Sequence, residues 1–134
     1  MLLNQISVFL ENRPGTLSSF VQLLADNRID LEALSIAEAQ DYGILRIIVD
    51  RPEETAALIE QAGWPCAITP VLAVTVPDEP GSLTRLLAIL AEQNISLSYS
   101  YAFLSRVQGN ACIVLRVDDN EAAIRALDRV GIQA

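Results

Sequence analysis

Residues Asn12-Arg13-Pro14-Gly15-Thr16-Leu17 return as Asp78-Glu79-Pro80-Gly81-Ser82-Leu83, an offset of 66 positions. The match continues through Leu24-Ala25 and Leu90-Ala91, Ile29 and Ile95, and Leu31 and Leu97. Past residue 40 the offset becomes 68, with Val49-Asp50 matching Val117-Asp118 and Gly63 matching Gly131. The chain is therefore one structural unit duplicated, and whatever it folds into must be built twice. Each copy, at about 65 residues, lies near the lower limit for an independent core. The copies are expected to pack on each other, on a second chain, or both. The division falls at residues 1–70 and 71–134.

Each copy carries the same periodicities. Ile6, Val8 and Leu10 alternate, as in a half-buried strand. After the Pro-Gly turn, Leu17, Phe20, Val21 and Leu24 recur at helical spacing. Residues 29–39 extend again, Asp41-Tyr42-Gly43 is a turn signal, and Leu45, Ile47 and Val49 alternate. Asp50-Arg51-Pro52-Glu53 opens a second helix with Pro and acids in its first turn, Gly63 ends it, and residues 66–69 form a fourth strand. The second copy predicts a strand at 71–76, a helix at 82–93, strands at 95–104 and 111–118, and a helix at 120–130. The order β-α-β-β-α-β with right-handed crossovers gives an antiparallel sheet with both helices on one face. The fold class is α+β, two ferredoxin-like units in tandem. Gly131-Ile132-Gln133-Ala134 stands where the fourth strand of the second copy should begin. A truncated fourth strand leaves the first strand of that copy as an open edge, which recruits partners.

Charge and composition exclude several functions. The net charge is −8, and all nine basic residues are Arg, scattered along the chain. A phosphate backbone or an anionic membrane surface is repelled, so nucleic acid and membrane are not expected partners. No apolar run approaches the roughly 20 residues of a membrane span. The start, Met1-Leu2-Leu3-Asn4-Gln5, lacks a basic region and a signal core, so a cytoplasmic location is expected. Histidine is absent, which removes the commonest general base and metal ligand. Cys66 and Cys112 belong to no closely spaced ligand pair and read as small buried thiols. Asp50 and Asp118 recur ahead of helices, where capping explains them. No nucleophile has a base partner, so no catalytic residues, cofactor or metal are expected.

The Pro-Gly turn is the candidate site. It opens a helix whose first N–H groups lack intrahelical partners and whose dipole is positive at that end. Glycine at 15 and 81 lets a ligand approach the main chain. A carboxylate suits the N–H groups, and Asn12 or Asp78 suits an ammonium, which together describe an α-amino acid. The alternative is that Asn12 and Asp78 are helix caps and the glycines only form turns.

The pattern Asn-x-Pro-Gly-x-Leu after a short strand, within β-α-β-β-α-β, resembles the ACT domain, the small regulatory module of amino-acid metabolism. Ile29-Asp30-Leu31 and Ile95-Ser96-Leu97 follow at the matching places. The run Ala33 to Glu38, with Asp41-Tyr42-Gly43-Ile44-Leu45-Arg46, further resembles the stand-alone tandem ACT proteins of prokaryotes. The resemblance covers the whole chain. It implies amino-acid binding at interfaces between ACT units, with Asn12, Gly15, Thr16, Leu17, Asp78, Gly81, Ser82 and Leu83 as ligand-binding candidates. It also implies a non-catalytic, allosteric regulatory role, exercised on a metabolic enzyme in trans because no enzyme domain is present. The truncated second copy, its open edge and the small size of each unit add a homodimer or a higher even oligomer. A structural adaptor that kept the fold without a ligand is the other reading.

Two features remain. Strict alternation puts Leu97, Tyr99, Tyr101 and Phe103 on one face, where the tyrosines either line a pocket or, as aromatics mostly do, fill space under the helices. The sheet face away from the helices holds Phe9, Ile44 and Ile48 in copy one and Thr75, Cys112 and Val114 in copy two, interrupted by Arg46 and Arg116. An exposed face this apolar suggests association, the alternative being contact between the two copies within one chain.

Overall fold

The fold is described from a computed structural model covering residues 1–38, 41–105 and 107–133. Position 39, to which the first copy's second strand was expected to run, and Ala134 lie outside the described residues. Ten elements follow in order. They are β1 (Leu2–Glu11), α1 (Thr16–Asp26), β2 (Leu31–Glu38), β3 (Tyr42–Val49), α2 (Pro52–Gln61), β4 (Cys66–Pro77), α3 (Ser82–Glu92), β5 (Leu97–Ala102), β6 (Asn110–Val117) and α4 (Asn120–Arg129). The chain divides into two units, Asn4–Thr69 and Met1–Leu3 with Pro70–Ala134.

In the N-terminal unit the strand order is β2-β3-β1-β4. β1 and β3 pair antiparallel with Ile6 opposite Ile47 and Val8 opposite Leu45, so the alternating apolar residues share one face. Phe20 and Leu24 of α1 and Ala56 and Ile59 of α2 pack on that face. This is the ferredoxin-like arrangement that the periodicities imply, and it puts the start of α1 at the end of β1.

The C-terminal unit repeats the plan. Its strands run β4-β6-β5, with Leu72 opposite Leu115 and Val74 opposite Ile113. Leu86 and Leu90 of α3 and Ala123, Ala126 and Leu127 of α4 close its core. No strand follows α4 in the described residues. The edge of β4 is not open, however. Met1 and Ala73 exchange both backbone bonds: the Ala73 N–H donates to the Met1 carbonyl at 2.8 Å, and the Met1 amine donates to the Ala73 carbonyl at 3.3 Å. Residues 1–3 thus occupy the place of the missing fourth strand. The sequence expectation failed here because the partner strand comes from the far end of the chain.

The faces also depart from simple alternation. In both units the pairing slips by one residue at the start of the second strand. Leu31 faces Val49 but Ala33 faces Ile48, and Leu97 faces Val117 but Tyr99 faces Arg116. One extra residue, Glu32 or Ser98, sits in each slip, as in a β-bulge. The bulge turns Tyr99 and Tyr101 to the face opposite the core, stacked with centroids 6.5 Å apart, and not under the helices. On the face away from the helices, Phe9 of the N-terminal unit is 41% exposed, but Ile48 of that unit and Val114 of the C-terminal unit are buried, so neither unit has a wholly open apolar face.

Candidate functional site

Both Pro-Gly turns have the same build. The Thr16 N–H donates to the Arg13 carbonyl at 3.2 Å, and the Ser82 N–H to the Glu79 carbonyl at 3.3 Å. Gly15 (φ 87°) and Gly81 (φ 94°) are the N-cap residues, in the left-handed region that glycine enters without strain. No side chain caps either helix. Among the described residues, the N–H groups of Leu17, Ser18, Leu83 and Thr84 have no partner, as expected of a first helical turn. A Cβ built on either glycine meets nothing within 4 Å, so both turns are open to solvent.

Asn12 and Asp78 do not act as caps. Their backbone N–H groups tie the turn to the neighbouring hairpin, at 3.3 Å to the Asp41 carbonyl and 3.0 Å to the Gly109 carbonyl. The expected residues then divide. Asn12 and Leu17 line a small cavity of about 120 Å³ with Ile36 and Gly43. Gly15 and Thr16 line an open depression of about 470 Å³ with Arg13 and Ser19. Gly81 and Ser82 line a cleft of about 280 Å³ to which Asp78 and Leu83 do not contribute. Leu83 is 47% exposed.

Beside the first turn lies a larger cleft of about 520 Å³, which the sequence did not disclose. Phe9, Tyr42 and Trp64 supply its aromatic walls, and Glu11, Arg13 and Thr16 its polar groups. Phe9 and Tyr42 meet edge to face at 6.3 Å, and Trp64 packs edge to face on the core residue Phe20 at 5.4 Å. The one available signal was a lone tryptophan in a Gly63-Trp64-Pro65 turn, where a core role is not expected.

The Cys66 thiol and the Glu32 carboxyl are both displaced from their ordinary ranges. Burial, then the Glu60 carboxylate that its thiol faces at 3.8 Å, pushes Cys66 up. Neither Cys66 nor Cys112 is in a disulfide, and both are half-buried, less enclosed than the sequence suggested. Burial, then the charges of Asp30 and Asp50, pushes the Glu32 carboxyl up. Asp50 and Asp118 are not helix caps either. Each accepts a backbone N–H at 3.1 Å, from Asp30 and Ser96 respectively, and so pins the start of the next strand pair. Among the described residues, no three His, Cys, Asp or Glu side chains gather as metal ligands. No described helix is long and apolar enough to cross a membrane.

Residues 1–129 match the family described as the ACT domain pair. The chain belongs to that family. Protein BT0572 from Bacteroides thetaiotaomicron shares the fold with a TM-score of 0.92 and 32% identity, over 99% of this chain and 91% of that one. The regulatory subunit of aspartate kinase from Thermus thermophilus, in its ligand-free form, has a TM-score of 0.71 at 16% identity, over 98% and 95%. The corresponding subunit from Thermus flavus has a TM-score of 0.61 at 15% identity, over 96% and 94%. At these identities the two Thermus subunits show the fold alone. No match was found among curated proteins. No catalytic family is indicated for this ACT domain pair.

Proposed function

We propose that this ACT domain pair is a non-catalytic regulatory module. It binds a free amino acid at its Pro-Gly turns and passes the signal to a partner protein, a metabolic enzyme acted on in trans. The observation that carries this reading is the repeated turn. In each copy a left-handed glycine caps the helix, no side chain caps it, and two N–H groups of the first turn are left without an intrahelical partner, in a family whose fold is that of aspartate kinase regulatory subunits. A ligand carboxylate fits those groups. The turn residues Asn12, Gly15, Thr16 and Leu17, with Asp78, Gly81, Ser82 and Leu83, form the binding region.

The working form is a homodimer or a higher even oligomer. β2 and β5 are edge strands, and Ile36 on β2 is 53% exposed, so each offers an edge that a second copy can pair with. A second copy completes the ligand's surroundings.

Thermal unfolding in the presence of each free amino acid tests the function, because a ligand that binds only the native chain raises its melting temperature. At a hundred times Kd the gain is about 2.7 kcal/mol. One amino acid, or a related pair, should raise the melting temperature while the rest do not. A chain that none of them stabilises is a structural adaptor. Light scattering at micromolar concentration tests the assembly, and a single species at the monomer mass of 14.6 kDa rejects the dimer.

A further inference from the structure

The aromatic cleft beside the first turn has a counterpart in the second unit at matching positions. Phe9 corresponds to Thr75, Arg13 to Glu79, Thr16 to Ser82, Ser19 to Arg85 and Trp64 to Ile132, and all ten residues line their respective clefts. The backbone confirms the equivalence of the inner wall. The Trp64 N–H donates to the Ile59 carbonyl at 3.2 Å, and the Ile132 N–H to the Leu127 carbonyl at 3.0 Å. A cavity kept in both copies while its walls diverge is a feature of the unit and not an accident of one loop.

The walls diverge in a particular way. The first cleft is about 520 Å³ and aromatic, and the second is about 280 Å³ with Thr75 and Ile132 in place of two rings. The polar groups change position but keep their balance. The first cleft has one acid and one base, Glu11 and Arg13, and the second has Glu79 and Arg85. Glu11 and Arg13 form an ion pair, but both side chains are well exposed, at 66% and 72%. An exposed pair of this kind contributes little to the fold, so either member can exchange its partner for a ligand. A zwitterion matches such a pair, with its carboxylate on the arginine and its ammonium on the glutamate.

We propose that the two clefts are a pair of amino-acid sites of different selectivity. The N-terminal cleft takes an aromatic side chain against Phe9, Tyr42 and Trp64. The C-terminal cleft takes a small aliphatic one against Thr75 and Ile132. This rests on the amino-acid reading above and locates the ammonium on Glu11 or Glu79, away from Asn12 and Asp78. The first volume lies within the roughly 300–1,000 Å³ of small-molecule pockets and the second just below it, the direction expected for a smaller ligand.

Trp64 is the chain's single tryptophan, so its emission reports the first cleft alone. The full chain is titrated with L-phenylalanine and with L-valine, read by calorimetry and by Trp64 fluorescence. L-phenylalanine should bind and change the emission, and L-valine should bind without changing it. Phe9→Ala and Tyr42→Ala, at half-exposed strand positions that tolerate truncation, should each weaken L-phenylalanine about tenfold, the upper range for a lost aromatic contact. Neither should alter L-valine. Thr75→Phe should fill the second cleft and abolish L-valine binding while sparing L-phenylalanine. If L-phenylalanine binds with unchanged emission and unaltered affinity in both alanine variants, the cleft assignment is wrong and the amino-acid reading stands. Binding of non-aromatic amino acids alone also overturns the assignment. If no amino acid binds by calorimetry, both readings fall.

Discussion

Gly15 and Gly81 show how far single residues could be read. Their place in a Pro-Gly pair before a helical stripe announced a turn at a helix start, and both turns are there. Which neighbours would share a cavity with them was not legible, because side-chain direction at a turn depends on dihedral angles that spacing does not encode. Asn12 consequently lines a different cavity from Gly15. Open space around both glycines means that substitution acts through backbone strain and not through collision. Gly15→Ala and Gly81→Ala should each cost about 1–2 kcal/mol in urea unfolding, the price of an L-residue held left-handed. Gly81→Asp should cost a similar amount, so any further loss of amino-acid binding in Asp relative to Ala measures the charge. Glu32 gives a second test. Its folded pKa is raised by burial and by Asp30 and Asp50, so the native chain holds that proton more firmly than the unfolded one. The resulting stability is present below the ordinary carboxylate range and is lost as pH rises through the raised value. Glu32→Gln should therefore melt higher than the parent at neutral pH, and the difference should shrink on acidification. A difference that is constant with pH would place the effect in packing and not in charge.

At the level of elements, the order β-α-β-β-α-β was legible because strand and helix periodicities differ and each copy displays both in full. The two bulges were not. Leu31-Glu32-Ala33 and Leu97-Ser98-Tyr99 contain no glycine or proline to mark a slip, and a slip of one residue reverses every side chain beyond it. That single shift moved Tyr99 and Tyr101 from the helix side to the opposite face. The recurring aspartates explain how each slip is held. Asp118 accepts the Ser96 N–H, the Asp118 N–H donates to the Ser96 carbonyl at 3.2 Å, and Asp50 repeats the arrangement with Asp30. The sequence showed the recurrence, but an acid before a helix is so often a cap that its cross-strand bond was hidden. α4 is capped instead by Asp119, whose side chain accepts the Ala122 N–H at 3.0 Å. Asp118→Ala should cost about 1 kcal/mol, the net worth of a hydrogen bond, and speed amide exchange at Ser96. Slower loss at Ser96 than at Ala122 in that variant would show that Asp118 does not pin the strand.

For the whole molecule, the duplication predicts two similar units, but it does not predict that they would borrow from each other's stretch of chain. Residues 1–3 fall in the first copy by sequence yet belong to the second unit in the fold. Repeat alignment does not reveal this: the offset of 66 sets Met1–Leu3 against Ala67–Thr69, which belong to the other unit, and alignment alone does not say which sheet either segment joins. The exchange also removes the open β4 edge as a reason for dimerisation and leaves the outer strands β2 and β5 as the sheet ends available to a second copy. It makes the C-terminal unit dependent on the first residues of the chain. Ala73 is 8% exposed, and its N–H finds its acceptor on Met1 at 2.8 Å. Without residues 1–3 that N–H must reach water or stay unpaired, and a buried unpaired donor costs about 1–3 kcal/mol. Deleting Met1–Leu3 should lower the melting temperature and accelerate amide exchange at Ala73. Exchange at Ile47, central in the N-terminal unit and fully buried, should keep its parental rate. If Ala73 stays protected in the shortened chain, something other than the N-terminal residues holds that edge. If Ile47 loses protection as well, the two units unfold together and the exchange of residues 1–3 couples them into one cooperative body.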